Sequence, residues 1–236
     1  MIFQWIPAMA FEFCAWLHSF VFAPWAFSKS FHRPVGASSG TPILLVHGYL
    51  HCSSVWVYYK RKFAKAGFGP IYTINLKPAL GSIQDYAQQI RAKAEEIESE
   101  TGNAKLILIG HSMGGLACGT YAASVAPPEK ELALISLGSP WDGTVLAQFM
   151  PGHNAKEMRR HSPFLKHLLQ QLSHKKTLPR YHIATTTDQI VLPWRSSLKG
   201  SEPHQTLILD SVGHLSILYS RKAADQVTAW INFINR

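Results

Sequence analysis

The sequence predicts an α/β fold: a mostly parallel sheet flanked by helices, with a small helical cap. Three observations carry this. Apolar runs at 41–46, 105–109, 132–137 and 180–185 alternate with stretches of helical periodicity, the rhythm of parallel strands joined by crossover helices. The run Leu106-Ile107-Leu108-Ile109 passes through Gly110-His111-Ser112-Met113-Gly114 into an alanine- and leucine-bearing helical stretch. That G-x-S-x-G order of strand, sharp turn and helix is what a nucleophile elbow requires. Finally, 236 residues, 47% of them hydrophobic, suffice for one domain with a full core.

Residues 1–31 are the unusual stretch. They hold seven of the twelve phenylalanines and three of the seven tryptophans, and Glu12 is the only charged side chain before Lys29. No basic start or small-residue cleavage site marks a secretory signal. Glu12, His18 and Pro24 interrupt the run, which argues against a spanning helix. Trp5, Met9, Phe13, Trp16 and Phe20 recur at helical spacing. They fit a helix packed on the domain, an uncleaved signal, or a helix in a membrane interface, the last being favoured. Pro34–Gly40 reads as a linker.

Thr41–Val46 is a buried strand ending in His47-Gly48-Tyr49. Residues 51–66 read as a helix with Trp56, Tyr58 and Tyr59, Phe68–Leu76 as a second strand, and Ser82–Thr101 as a long helix closed by Gly102. Lys105–Ile109 is the elbow strand. The helix over 113–126 stops at Pro127-Pro128, and Leu132–Leu137 is the next strand. From Trp141 the strand rhythm breaks, and Phe164, Leu165, Leu168, Leu169 and Leu172 mark an amphipathic helix in what reads as a cap over the mouth of the site. Arg180–Thr185 and Thr206–Leu209 resume the sheet, and 216–234 is the terminal helix.

A serine nucleophile needs a base, and the base needs a carboxylate to hold its tautomer. In this architecture the chain order is serine, acid, histidine. Of the five aspartates, Asp85 precedes Ser112, Asp142 opens the cap too early, and Asp225 lies in the terminal helix. Asp188, straight after a strand, is preferred to Asp210, with Glu202 third. Two histidines follow Asp188. His204 precedes its strand, whereas His214 follows it, so His214 is the candidate base. The oxyanion hole is expected from the N–H of Met113 and of Tyr49 or Leu50, Tyr49 taken first.

At these residues the sequence resembles the α/β-hydrolase superfamily, and within it the bacterial lipase-like members and carboxylesterases. Ile43-Leu44-Leu45-Val46-His47-Gly48-Tyr49 resembles their oxyanion strand and loop, and Gly110–Gly115 their elbow. Asp188-Gln189-Ile190-Val191 and Gly213-His214-Leu215 resemble the acid and histidine segments, and Gly138-Ser139-Pro140 and Ser162-Pro163-Phe164-Leu165 parts of the cap. The resemblance runs from about residue 41 to the end. It implies an α/β-hydrolase catalytic domain over 41–236 with a cap insertion at about 141–178, behind an aromatic segment and linker at 1–40. It also implies hydrolysis of carboxylic esters through an acyl-enzyme on Ser112, with no metal or other cofactor. The same elements serve acyltransferases and thioesterases, and a silent binding protein on this fold is a further alternative. An aspartate nucleophile, as in dehalogenases, is excluded by Ser112.

The three cysteines, Cys14, Cys52 and Cys118, are too scattered for a disulfide framework or a zinc site. The formal charge of +9 gathers at Lys60, Arg61, Lys62 and Lys65, and at Lys156, Arg159, Arg160, Lys166, Lys175, Lys176 and Arg180. No nucleic-acid reading motif accompanies them. A basic cap beside an aromatic segment fits an anionic membrane surface, which makes water-insoluble acyl esters the expected substrates and an intracellular, membrane-associated protein the expected setting. On this reading, removing residues 1–31 should weaken binding to anionic liposomes and leave hydrolysis of a soluble ester largely intact.

Overall fold

A computed structural model describes residues 2–236, apart from the side chains of residues 2–5 and 29. Six parallel strands form one sheet: β1 (Ile43–Val46), β2 (Ile71–Ile74), β3 (Leu106–His111), β4 (Leu132–Leu137), β5 (Arg180–Thr185) and β6 (Thr206–Leu209). Their order is β2-β1-β3-β4-β5-β6. The helices are α1 (Ile2–Phe22), α2 (Lys29–His32), α3 (Val57–Lys65), α4 (Ile83–Thr101), α5 (Met113–Thr120), α6 (His153–Glu157), α7 (Pro163–His174) and α8 (Arg221–Ile234).

The two-residue period of the strands divides the core. Leu44, Val46, Leu106 and Leu108 face α4, α5 and α7, while Ile43, Leu45, Ile107 and Ile109 face α3 and α8. Both faces are covered, so the strands are apolar throughout. Local signals set the helix ends. The Ser82 hydroxyl accepts the Asp85 N–H at the start of α4, and Gly102 closes that helix at φ 66°. Ser220 caps α8 in the same way, accepting the Ala223 N–H. The stretch at 216–234 is thereby two elements, a 3-10 turn over Ser216–Tyr219 and then α8. Likewise, 51–66 divides into a 3-10 turn over Ser53–Trp56 and α3.

The second strand is shorter than the apolar run 68–76 suggests. Residue 75 leaves the sheet because the Asn75 side chain accepts both the N–H and the hydroxyl of Ser53 and donates to the Ala26 carbonyl. The linker is not free either: Val35 exchanges both backbone hydrogen bonds with Ile71 at the outer edge of β2.

Helix α1 does not pack on the domain through its aromatic stripe, as one of the alternatives had it, but through the opposite face. Ala8, Glu12, Ala15 and Ser19 are buried, whereas Met9, Phe13 and Phe20 are 52%, 70% and 69% exposed and Trp16 is half-buried. The side chain of Trp5 lies outside the described residues. No helix among the described residues is long and apolar enough to cross a membrane.

The segment 141–178 has two parts. Residues 144–158 lean over the C-terminal ends of the strands, tied to the loop after β5 where the Val145 N–H meets the Leu192 carbonyl and the Thr144 hydroxyl the Ile190 carbonyl. Helix α7 lies elsewhere. Its Leu165, Leu168 and Leu172 join the α4–α5 core, so the amphipathic helix flanks the sheet and does not roof the site.

Candidate active site

Ser112 sits between the end of β3 and the start of α5, at φ 54° and ψ −126°. A non-glycine residue in that region stores about 1–3 kcal/mol of strain, which the surrounding packing must hold. Side chains are excluded on both sides of it. A Cβ on Gly110 would strike the backbone of Gly114 and Gly115, and one on Gly114 would strike the carbonyls of Val46 and His47. The register pairing Val46 with Gly110 brings the loop after β1 beside the elbow.

Asp188 follows β5 and His214 follows β6, both buried. The His214 Nδ1–H donates to Asp188 Oδ2 at 2.9 Å. The other oxygen, Oδ1, accepts the N–H groups of Ile190 and Val191 at 2.8 and 2.7 Å. Asp188 is thus fixed as an acceptor, the proton is fixed on Nδ1, and Nε2 is left with its lone pair free. Burial would depress the His214 pKa. The Asp188 charge, its hydrogen bond and the Glu12 charge outweigh burial and raise it above the ordinary value. Asp210 is exposed at the end of β6, and His204 and Glu202 are exposed before that strand's start. Of the candidate acids and bases weighed from sequence, Asp188 and His214 are the pair brought together. Ser112 and His214 line one cavity, with no hydrogen bond between them among the described residues.

Two histidines unassigned by the sequence hold the loops in place. The Leu76 N–H donates to His47 Nε2 at 2.9 Å, so Nδ1 carries the proton and donates to the Gly48 carbonyl at 2.8 Å. Burial lowers the His47 pKa to about 4, which keeps the ring neutral for this brace. His111 Nε2–H donates to the His214 carbonyl at 2.9 Å, and burial holds its pKa well below normal. Their signal was position: one directly follows the first strand, the other precedes the serine.

The N–H of Met113 lies in the first turn of α5, where no intrahelical acceptor exists. The Gly48–His51 turn places Tyr49 and Leu50 at the cavity, with Leu50 at φ 54°. Among the described residues the N–H groups of Met113, Tyr49 and Leu50 have no protein acceptor. The cavity measures about 340 Å³, within the roughly 300–1,000 Å³ usual for small-ligand sites. Trp16, Leu50, Leu146, Phe149, Met158 and Val191 give it apolar walls above Ser112 and His214.

A family model described as the alpha/beta hydrolase family matches residues 43–229. The chain belongs to that family.

Several relatives of this α/β hydrolase are named as lipases. A triacylglycerol lipase of Pseudarthrobacter phenanthrenivorans is 28% identical over 122 residues, covering 48% of this chain and 37% of that one. A triacylglycerol lipase of Burkholderia plantarii is also 28% identical over 122 residues, covering 48% and 33%. The match thus spans about a third of the length of these curated relatives. Among solved structures, the mature Bacillus licheniformis lipase BlEst2 superposes with a TM-score of 0.67 at 19% identity, over 87% of this chain and 97% of that one. At that identity the likeness concerns the fold.

The family match begins at residue 43, yet two residues of α1 reach this hydrolase's site. Trp16 lines the cavity, with its ring centroid 4.9 Å from that of His51. The buried Glu12 carboxylate accepts backbone N–H groups just after His214. Removing residues 1–31 would therefore strip a wall and an anchor from the site, and the expectation of intact soluble-ester hydrolysis gives way. A lone carboxylate in an uncharged aromatic run was the available signal.

Proposed function

We propose that the protein hydrolyses carboxylic esters with hydrocarbon-rich acyl groups, through an acyl-enzyme on Ser112. The supporting observation is the apolar cavity with Ser112 and His214 at its base. In this reading the Ser112 hydroxyl attacks the ester carbonyl while His214 Nε2 takes its proton. The imidazolium is stabilised by Asp188. The developing oxyanion is met by the N–H groups of Met113 and Tyr49. His214 then protonates the leaving alcohol, and a water activated by the same ring releases the acid. The lipase names of the relatives fit this chemistry.

The cavity has room for an acyl chain well beyond an acetyl group. At roughly 30 Å³ per heavy atom it accommodates at least about ten. The test is a series of nitrophenyl esters from acetyl to palmitoyl, together with labelling of Ser112 by a fluorophosphonate. We expect labelling and a kcat/KM maximum at a medium or long chain, by roughly tenfold or more over acetyl. A labelled serine with no ester turnover, but with product formed on adding an alcohol or thiol acceptor, would turn the reading towards acyl transfer.

We further propose that substrate is met at an anionic lipid surface. The supports are the outward apolar face of α1, the exposed Leu50 and Phe149 at the cavity mouth, and exposed Arg61, Lys65, Lys156 and Arg159 within a net charge of +9. Phe13 and Leu17 lie on that face, 70% and 56% exposed, away from the cavity lining. The double variant Phe13→Ser, Leu17→Ser is expected to cut flotation with phosphatidylglycerol vesicles by roughly tenfold or more. Hydrolysis of a soluble ester should stay within about 2-fold of wild type. Unchanged flotation would count against the surface.

A further inference from the structure

Helix α1 lies outside the matched family region, but its one charged residue is directed at the loop carrying His214. Glu12 is only 6% exposed. Its carboxylate accepts the Leu215 N–H at 2.8 and 3.0 Å through its two oxygens, and the Ser216 N–H at 2.8 Å. These donors begin the 3-10 turn over Ser216–Tyr219, where N–H groups have no acceptor within the turn. The sequence accommodates the carboxylate at residue 213, since a Cβ on Gly213 would collide with the Glu12 carboxylate and the Gln189 amide. No cation pairs with Glu12 among the described residues. Its partners are backbone donors, and they flank the histidine.

The rest of the loop is gripped around the same point. The His214 N–H donates to Gln189 Oε1 at 3.0 Å, its carbonyl accepts from His111, and the Gly213 N–H donates to Ser216 Oγ at 2.7 Å. Gln189 in turn reaches Met9 of α1 through Nε2, 3.5 Å from the sulfur. Thus α1 grips the histidine loop directly through Glu12 and touches, through Met9, the Gln189 side chain that accepts the His214 N–H.

We propose that Glu12 is a positioning residue for His214, supplied by a helix outside the family region, fixing the backbone after the histidine and setting a second carboxylate near the Asp188–His214 pair. This rests on the reading of His214 as the general base. The groups facing His214 are Asp188 from the loop after β5, Glu12 from α1, His111 from the end of β3, and His51 from the loop after β1. Glu12 raises the histidine's proton affinity, adding to Asp188. Only the neutral ring accepts the Ser112 proton. A raised pKa therefore places the acid limb of activity at higher pH, and removing the Glu12 charge should move that limb to lower pH.

Two variants separate charge from packing. Glu12→Gln keeps the size and one acceptor oxygen, while Glu12→Ala removes both charge and acceptor. The readouts are kcat and KM on a soluble ester, the pH dependence of fluorophosphonate labelling, and the His214 imidazole titration by NMR. Glu12→Gln is expected to lower the acid-limb pKa and the NMR pKa together and to lower kcat by roughly 10- to 100-fold with KM little changed. Glu12→Ala should lower kcat further. A reduced melting temperature with unchanged acid limb, histidine titration and kcat in Glu12→Gln would make Glu12 a packing residue and overturn the proposal. If wild-type Ser112 is not labelled at all, the ester-hydrolase reading fails, and the NMR comparison of wild type with Glu12→Gln still decides whether Glu12 acts on His214.

Discussion

Ser112→Ala is expected to lower kcat/KM on the preferred nitrophenyl ester by roughly 10⁴- to 10⁶-fold. The hydroxyl is the only part of the residue removed. Among the described residues Ser112 Oγ makes no hydrogen bond within the protein, so its loss leaves no buried partner unsatisfied. Backbone strain at φ 54° is set by the elbow and is similar for alanine. Stability should accordingly be unchanged or slightly raised, the usual relation where a strained residue serves activity. Rates on the ester series, fluorophosphonate labelling and thermal melting check this together. A variant that melts as wild type, is not labelled and retains no more than a trace of activity fits Ser112 as nucleophile. Retention of more than about 1% of the rate would place the nucleophile elsewhere.

Much of the fold and the candidate site was legible because the strands state their own period and length. Leu132–Leu137, Arg180–Thr185 and Thr206–Leu209 are bounded in the structure where the apolar runs end. The run at 68–76 was not, since Asn75 is drawn to Ser53 by a contact 22 residues away that no local pattern carries. The choice between Asp188 and Asp210 followed from chain order, and burial separates them: Asp188 is 2% exposed, whereas Asp210 is on the surface. The first helix shows where periodicity stops informing. Its aromatic stripe marked one face, and hydrophobicity alone does not say whether that face meets protein or lipid. The structure seats the opposite stripe of alanine, serine and Glu12 on the domain. Glu12 was legible as a charge and not as a contact, because its partners are backbone N–H groups some 200 residues away.

Asp188→Asn is expected to cost roughly 10⁴-fold in kcat/KM while leaving the fold intact. The reason lies in what each carboxylate oxygen does. Oδ2 accepts the His214 Nδ1–H, and Oδ1 accepts the N–H groups of Ile190 and Val191. Every partner is a donor, so a carboxylate satisfies all of them and an amide cannot. With its oxygen towards His214, the asparagine turns its NH₂ onto two backbone donors. With its oxygen towards the backbone, the NH₂ faces Nδ1 and drives the ring proton to Nε2, where it blocks acceptance of the Ser112 proton. The residual activity carries a second signature. Burial depresses the His214 pKa and the Asp188 charge restores it above the normal value, so without that charge burial prevails. The neutral ring then persists to lower pH, and the acid limb of the residual rate should move down, measured as kcat/KM from pH 4 to 9. Asp210→Asn is the matched control and should stay within about 2-fold of wild type. If Asp210→Asn caused the large loss and Asp188→Asn did not, the acid would be Asp210 and the Asp188–His214 hydrogen bond would be structural.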